Sequence, residues 1–395
     1  MMPTVLIAGD FAAHTGFSRV NEALAAELSA RGWDIAVLAI NYMGDATPLQ
    51  SRYRLYPAYG GGDLFGVGRV AKMVQHVQPD ALLLVHDPWI VSAWLAELPL
   101  DAPPAVAYVP IDGQGVAPAH VAPLSRCATV AAYTRFGAAE LARGGCAAPI
   151  AIIPHGIDLE LFAPLEQSEA RARLGMDPAT YAVLVCDQNQ PRKRLDIAFE
   201  AFARFAQGKP ETVKLLYHGP IATENGWDVE AMAADLGIAE RLLLSSRHIT
   251  QRRGVADDHM RVIYGACDVK LSTTSGEGWG LTTMEAMACG LPCIAPAFGA
   301  LAEWAAPAAF LTPAPIAVRH CGRFGDTGIN TVGRVPEVDG VARALTFLYH
   351  DAGSREEQCA AGLALVANPR YRWTNIGAAF DALLRNACEG VAACA

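Results

Sequence analysis

The chain has 395 residues, of which 52% are hydrophobic and only 18% charged. This excludes a disordered or tail-like protein and is too long for one ordinary core, so two domains of about 150–200 residues each are expected. A formal net charge of −9 counts against a general nucleic-acid binder, and 36 glycines and 25 prolines without a G-X-Y period exclude a fibrous protein.

The opening MMPTVLIAGD lacks a basic n-region and a cleavage site, and Thr4–Ala8 reads as a first buried strand. After the polar turn Asp10–Thr15, a helix is expected from Gly16 to Ala30. Its apolar face is Phe17, Val20, Leu24 and Leu28, and Gly32 is its stop. Asp34–Ile40, Ala81–Val85 and Ala105–Val109 read as strands, the last two running straight into polar turns. Strands alternating with amphipathic helices imply parallel sheets covered on both faces, with ligands bound at strand C-termini.

IAIIPHGIDLELFAP, residues 150–164, reads as a strand, a Gly turn and a Pro-bounded linker, which places a domain boundary near residue 160. A second alternating series follows: strands Tyr181–Cys186, Val213–Tyr217, Leu242–Leu244, Val269–Leu271 and Pro292–Ala295. The helices between them are Leu195–Gln207, Glu230–Leu236, Met260–Ala266 and Leu281–Ala288. Residues 312–338, rich in Gly and Pro and without period, are expected as one long functional or mobile loop. The longest apolar stretch, Ile294 to Val318, holds Glu303 and four prolines, so no membrane span and no integral membrane contact is expected. Ten cysteines at irregular spacing, with no CxxC pair, read as small buried thiols of a reducing cytoplasmic compartment.

The strongest chemical signal is SGEGWGLTTMEAMACGLP, residues 275–292, which follows the strand VKLST and opens a helix. Glycines 276, 278 and 280 let the backbone approach a ligand, and free N–H groups at the helix start suit a phosphate or diphosphate. Thr282 and Thr283 add hydroxyl donors in the first turn. Glu277 and Glu285 place one carboxylate in the loop and one a turn into the helix, suited to the sugar side and the ribose side of one ligand.

With Glu277 and Glu285 forming an E-x7-E pair inside EGWGLTTMEAMACGLP, the chain resembles the retaining, nucleotide-sugar-dependent glycosyltransferases of family 4 (glycosyl transferases group 1), which have the GT-B fold. PHGIDLELFAP is similar to that family's inter-domain segment, PRKRLDIAFEAF to its first C-domain helix, and YRWTNIGAAFDALL to a terminal helix that crosses back onto the N-terminal domain. The resemblance implies an α/β protein of two doubly wound Rossmann-like domains facing a cleft. Residues 1–160 with a helix over about 372–395 would form the acceptor side, and residues 161–371 the nucleotide-sugar side.

It implies further that Glu285 holds the donor ribose and that Glu277 contacts the transferred sugar. Lys193 would neutralise the diphosphate leaving group. Gly278, Trp279, Gly280, Leu281 and Thr282 would line the donor, as would Gly16 in the HTGFSRV turn and His248 in RHIT. Two positions depart from the family pattern. A Gly-Arg pair usual before the Lys is Asp187-Gln188 here, which puts Gln188 in doubt as a phosphate ligand and makes Arg192 the alternative charge. Asp112 in YVPIDGQG stands where many members carry a His. An acceptor-hydroxyl contact, a base and a turn cap are all open for it. His86-Asp87-Pro88-Trp89 reads as a structural turn or as acceptor lining.

The expected activity is transfer of a hexose from a UDP- or GDP-sugar to a hydroxyl on a saccharide or other small molecule. With no D-x-D triplet in the chain, no metal cofactor is expected. Two alternatives stand beside it: hydroxymethylated DNA as acceptor, with Arg192, Arg194, Arg247, Arg252 and Arg253 as phosphate contacts, and a catalytically silent sugar-nucleotide binder.

Overall fold

A computed structural model of the chain describes residues 2–250, 254–320 and 331–392. They divide into two compact units. One holds the described residues up to 156, Thr331 and those from 369 onward; the other holds residues 157–320 and 332–368.

The first unit runs β1 (Thr4–Asp10), α1 (Gly16–Ala30), β2 (Asp34–Ile40), β3 (Arg54–Pro57), α2 (Val70–Val77), β4 (Ala81–Val85), α3 (Pro88–Glu97), β5 (Ala105–Val109), α4 (Pro118–Val121), β6 (Thr129–Ala132), α5 (Arg135–Arg143) and β7 (Ile150–Ile152). The seven strands are parallel, in the order β3-β2-β1-β4-β5-β6-β7. Every residue of β4 and β5 is buried, as uninterrupted apolar runs covered on both faces require. The strand order reverses between β1 and β4, and a crevice opens at the C-terminal ends of the strands at such a reversal.

The C-terminal helix, Trp373–Ala392, packs on α1 of this unit. A Cβ on Gly377 would stand 2.4 Å from Cβ of Glu27, so only glycine permits the approach. Trp33 donates its indole N–H to Asp381 (2.7 Å), and Arg31 donates to the Thr374 carbonyl (2.6 Å).

The second unit runs α6 (Gln167–Leu174), β8 (Tyr181–Cys186), α7 (Leu195–Ala206), β9 (Val213–His218), α8 (Val229–Asp235), β10 (Leu242–Leu244), α9 (Asp257–Ala266), β11 (Val269–Leu271), α10 (Leu281–Ala288), β12 (Cys293–Pro296), α11 (Gly299–Trp304), β13 (Phe310–Thr312), β14 (Ile316–Arg319), β15 (Val332–Val335), α12 (Val338–His350) and α13 (Ala352–Val366). Six strands form a parallel sheet in the order β10-β9-β8-β11-β12-β13. Its reversal lies between β8 and β11, and Phe199, Phe202, Phe205 and Tyr217 fill its core.

The expected structureless loop over 312–338 is corrected. β14 and β15 form an antiparallel hairpin, and residues 321–330 between them lie outside the described residues. Two four-residue strands, flanked by Pro313 and Pro315 and half exposed, carry too little alternation to read as strands.

Cysteines 127, 186, 289 and 293 are free and buried, and burial pushes each thiol up to about 12, so they pack as small apolar groups. Among the described residues no helix is long and apolar enough to cross a membrane.

Candidate functional site

In the second unit the reversal point gathers the motif residues. β8 ends at Cys186, and the segment after it is pinned by Asn189. Its side chain accepts from the Trp227 N–H (2.8 Å) and donates to the Trp227 and Pro220 carbonyls (2.6 and 3.0 Å). A short turn, Pro191–Lys193, then leads into Arg194, which adopts the left-handed backbone at φ +51°.

That turn is tied to the loop after β11. Ser275 donates both its N–H (2.8 Å) and its hydroxyl (2.9 Å) to the Arg192 carbonyl, and Thr273 donates its hydroxyl to the Arg194 carbonyl (2.8 Å). Lys193 and Glu277 are thereby brought together. The Lys193 ammonium donates to Asp187 at 2.8 Å and to Oε1 of Glu277. Arg192 stands 3.3 Å from Oε2 of Glu277 and donates to the Gly276 carbonyl.

Burial works against both charges here, and the pairing outweighs it. Burial pushes the Glu277 carboxyl up, but Lys193 and Arg192 pull it down to about 2. Burial pushes the Lys193 ammonium down, but Asp187 and Glu277 hold it above its ordinary value. Both groups are therefore fixed charges at neutral pH, able to bind and stabilise rather than to exchange protons.

Of the three loop glycines, only Gly280 takes a left-handed backbone, at φ +94°, and a Cβ there would meet Leu301 at 2.8 Å. α10 starts at Leu281, with Leu281 and Thr282 half-buried at its first turn and Gly278 buried. Glu285, 2% exposed, accepts the Tyr264 hydroxyl at 2.7 Å. Thr283 accepts the Lys270 ammonium at 3.0 Å. The Trp279 ring is committed to scaffold packing: it stacks on Trp304 at 4.9 Å, and its indole N–H points at the Met284 sulfur. Gln188 is half-buried, and among the described residues its buried Oε1 has no hydrogen-bond partner.

The structure places His248 on the exposed surface after β10, with its backbone N–H on the Ser246 hydroxyl. Arg194 is paired with Asp196 and Arg247 with Glu230, while Arg252 and Arg253 lie outside the described residues. Sequence reasoning missed Tyr264 and Lys270. It also missed His218 at the end of β9, whose Nδ1 meets the Ser245 hydroxyl at 2.8 Å. A lysine in the middle of an apolar strand was the readable signal for Lys270.

The first unit shows the same logic. Gly16 is the first residue of α1. Thr15 caps that helix, accepting from the Ser18 N–H and donating its hydroxyl to Asp10 at 2.7 Å. Asp10 ends β1 buried. Burial raises its carboxyl, but bonds from His86, Thr15 and Asn41 hold it below the ordinary value. The Asp87 N–H donates to Nδ1 of His86 (2.8 Å), which makes Nε2 the protonated nitrogen, 3.4 Å from Asp10. The ring also stacks on Phe17 at 4.6 Å. His86 thus holds the Gly16 turn against β4. Asp112 stands half-buried after β5, close enough that its charge adds to the burial that raises the Tyr133 phenol.

Residues 180–317 match the family model described as Glycosyl transferases group 1. That stretch is similar to the group 1 glycosyl transferases. The chain is 32% identical over 214 residues to the D-inositol 3-phosphate glycosyltransferase of Segniliparus rotundus, covering 49% of this chain and 46% of that one. The chain spans about half the length or less of the first curated relatives that it matches.

Beyond residues 180–317, the likeness is one of fold, that of GT-B proteins. Sucrose-phosphate synthase from Thermosynechococcus elongatus superposes with a TM-score of 0.77 at 18% identity, over 98% of this chain and 99% of that one. Anabaena Alr3699/HepE, solved in complex with UDP-glucose, superposes at 0.73 and 17% identity, over 98% and 100%.

Proposed function

We propose that the chain is a retaining glycosyltransferase that moves a hexose from a nucleotide-sugar to a hydroxyl on a saccharide or other small molecule. The observation that carries this reading is the Asp187–Lys193–Glu277–Arg192 cluster beside the start of α10, with Glu285 one turn beyond.

Lys193 and Arg192 are cations held by the turn that follows β8, and a departing diphosphate needs such fixed positive charge in its transition state. Glu277, ionised down to about pH 2, faces the positive charge that develops at the anomeric carbon. Glu285, oriented by Tyr264, takes the ribose hydroxyls. Gly278, Gly280, Leu281 and Thr282 offer backbone and hydroxyl donors at the helix start. Neither Lys193 nor Glu277 is suited to take the acceptor proton. That task falls to the departing phosphate, on the face that it vacates. Because protein cations occupy the diphosphate position, the reaction proceeds without a metal ion.

The test is a thermal-shift titration with UDP-, GDP-, ADP- and TDP-sugars, beginning with UDP-glucose, the ligand in the HepE complex. A selective rise in melting temperature, absent in Glu285→Ala, is the expected result. No rise with any of the four overturns the reading. A rise without turnover on any sugar acceptor leaves a sugar-nucleotide binder instead.

A further inference from the structure

Lys270 occupies the middle of β11, paired with Leu184 of β8 on one side and Cys293 of β12 on the other, and is 1% exposed. A lysine at the centre of a sheet carries a heavy desolvation cost unless an anion answers it. Among the described residues no carboxylate lies within ion-pair distance of its ammonium, and its one hydrogen-bond acceptor is the Thr283 hydroxyl at 3.0 Å. The ammonium is nonetheless felt at the site, since it is one of the charges that pull Glu277 down.

Thr283 lies in the first turn of α10, and an added Cβ on Gly280 would stand 3.8 Å from its hydroxyl oxygen. The hydroxyl thus faces the glycine turn. A hydroxyl that accepts from an ammonium keeps its own proton for a second partner. The charges at the site point the same way. Without Lys270, the carboxylates Asp187, Glu277 and Glu285 outnumber the cations Arg192 and Lys193, an arrangement that repels a diphosphate. With Lys270 the two signs balance before the helix N-terminus adds its own positive end.

We propose that Lys270 is a positioning residue for the donor diphosphate, an inference that rests on the donor-site reading above. It holds the Thr283 hydroxyl as a hydrogen-bond donor toward the phosphates and supplies the buried positive charge that offsets the three carboxylates. The ligand class is a nucleoside diphosphate, free or carrying a sugar, and the contribution is to its phosphates and not to its base.

The experiment compares UDP, GDP, ADP and dTDP with their plain nucleosides by calorimetric titration, for the wild type, Lys270→Met, Thr283→Val and Thr283→Ser. For the diphosphate that the wild type binds, Lys270→Met and Thr283→Val should each lose about tenfold or more in affinity, as charge-assisted contacts do. Thr283→Ser should bind like the wild type, and the nucleoside should bind all four proteins alike. Undiminished diphosphate affinity in Lys270→Met, or equal losses for diphosphate and nucleoside, overturns the proposal. Should Lys270→Met fail to fold, equal affinities of Thr283→Val and Thr283→Ser overturn it instead. A wild type that binds none of the four diphosphates defeats the donor-site reading itself, an outcome distinct from a variant that binds as the wild type does.

Discussion

Tyr264, the eighth residue of α9, donates its hydroxyl to Oε2 of Glu285 in α10 across 2.7 Å, with both side chains buried. A carboxylate on a two-turn helix has several rotamers, and this bond selects one. Tyr264→Phe should therefore weaken donor binding by about 1.5–3 kcal/mol, the range for a hydrogen bond to a charged group, with little effect on kcat. Glu285→Ala should weaken it further. Donor titration of the two variants checks this, and unchanged affinity in Glu285→Ala removes the ribose role.

Lys193→Ala should lower turnover by more than tenfold while the fold persists, because the ammonium meets charge that grows as the diphosphate departs. Arg192 reaches Oε2 of Glu277 and the Gly276 carbonyl in the free protein. A near-normal rate in Lys193→Ala would transfer the leaving-group role to Arg192, and steady-state kinetics on both single variants separates them.

What the sequence made legible follows the physics of each element. β4 and β5 are unbroken apolar runs, and the Glu277–Glu285 spacing lies in one continuous loop-and-helix stretch, so both read directly. Tyr264 and Lys270 did not, because each acts through a partner 21 or 13 residues away: nothing local marks a buried tyrosine as polar machinery, and a lysine in an apolar strand signals a buried charge without naming its partner. His86 is the converse case: a conspicuous His-Asp pair whose ring is occupied by Asp10 and Phe17. The hairpin of β14 and β15 was hidden because its register is set by backbone pairing across the twelve residues between them and not by periodicity.

Glu277 also sets an acid limit on stability. Unfolded, its carboxyl titrates near the ordinary 4.5; folded, Lys193 and Arg192 hold it at about 2. The folded state binds fewer protons in that window. The stabilisation from the ion pairs is therefore complete above about pH 4.5 and is lost as the pH falls toward 2. Melting temperature measured from pH 6 to pH 2.5 should decline less steeply in Glu277→Gln than in the wild type. Asp10, likewise depressed, leaves a residual slope in the variant, and parallel slopes would show that Glu277 is not held by its cations.

Activity should persist in excess EDTA. On the proposed reading, Lys193, Arg192 and the start of α10 supply the positive charge that the diphosphate needs, and fixed protein cations need no exchange with solvent. Turnover is measured after chelation and again after adding Mg²⁺ or Mn²⁺. Loss on chelation with recovery on metal would overturn the metal-free mechanism.

The hairpin offers a test of how the Glu277 loop is held from its other side. Gly333 of β15 lies so close to Ser275 that an added Cβ would fall 2.2 Å from its carbonyl oxygen and 2.4 Å from Nε2 of His320. The Arg334 N–H bonds the same carbonyl (2.9 Å), and His320 meets the Ser275 hydroxyl at 2.7 Å. Because the obstacle at Gly333 is backbone, Gly333→Ala must displace either the hairpin or the loop, at about 1–3 kcal/mol, the usual cost of overpacking. His320→Ala removes the side-chain hydrogen bond to Ser275, about 1 kcal/mol, and Ser275 keeps both of its bonds to Arg192. Gly333→Ala should therefore reduce thermal stability and donor affinity together, and His320→Ala should reduce both by less. If Gly333→Ala binds donor as tightly as the wild type, the hairpin is a surface addition and the turn after β8 holds the loop without it.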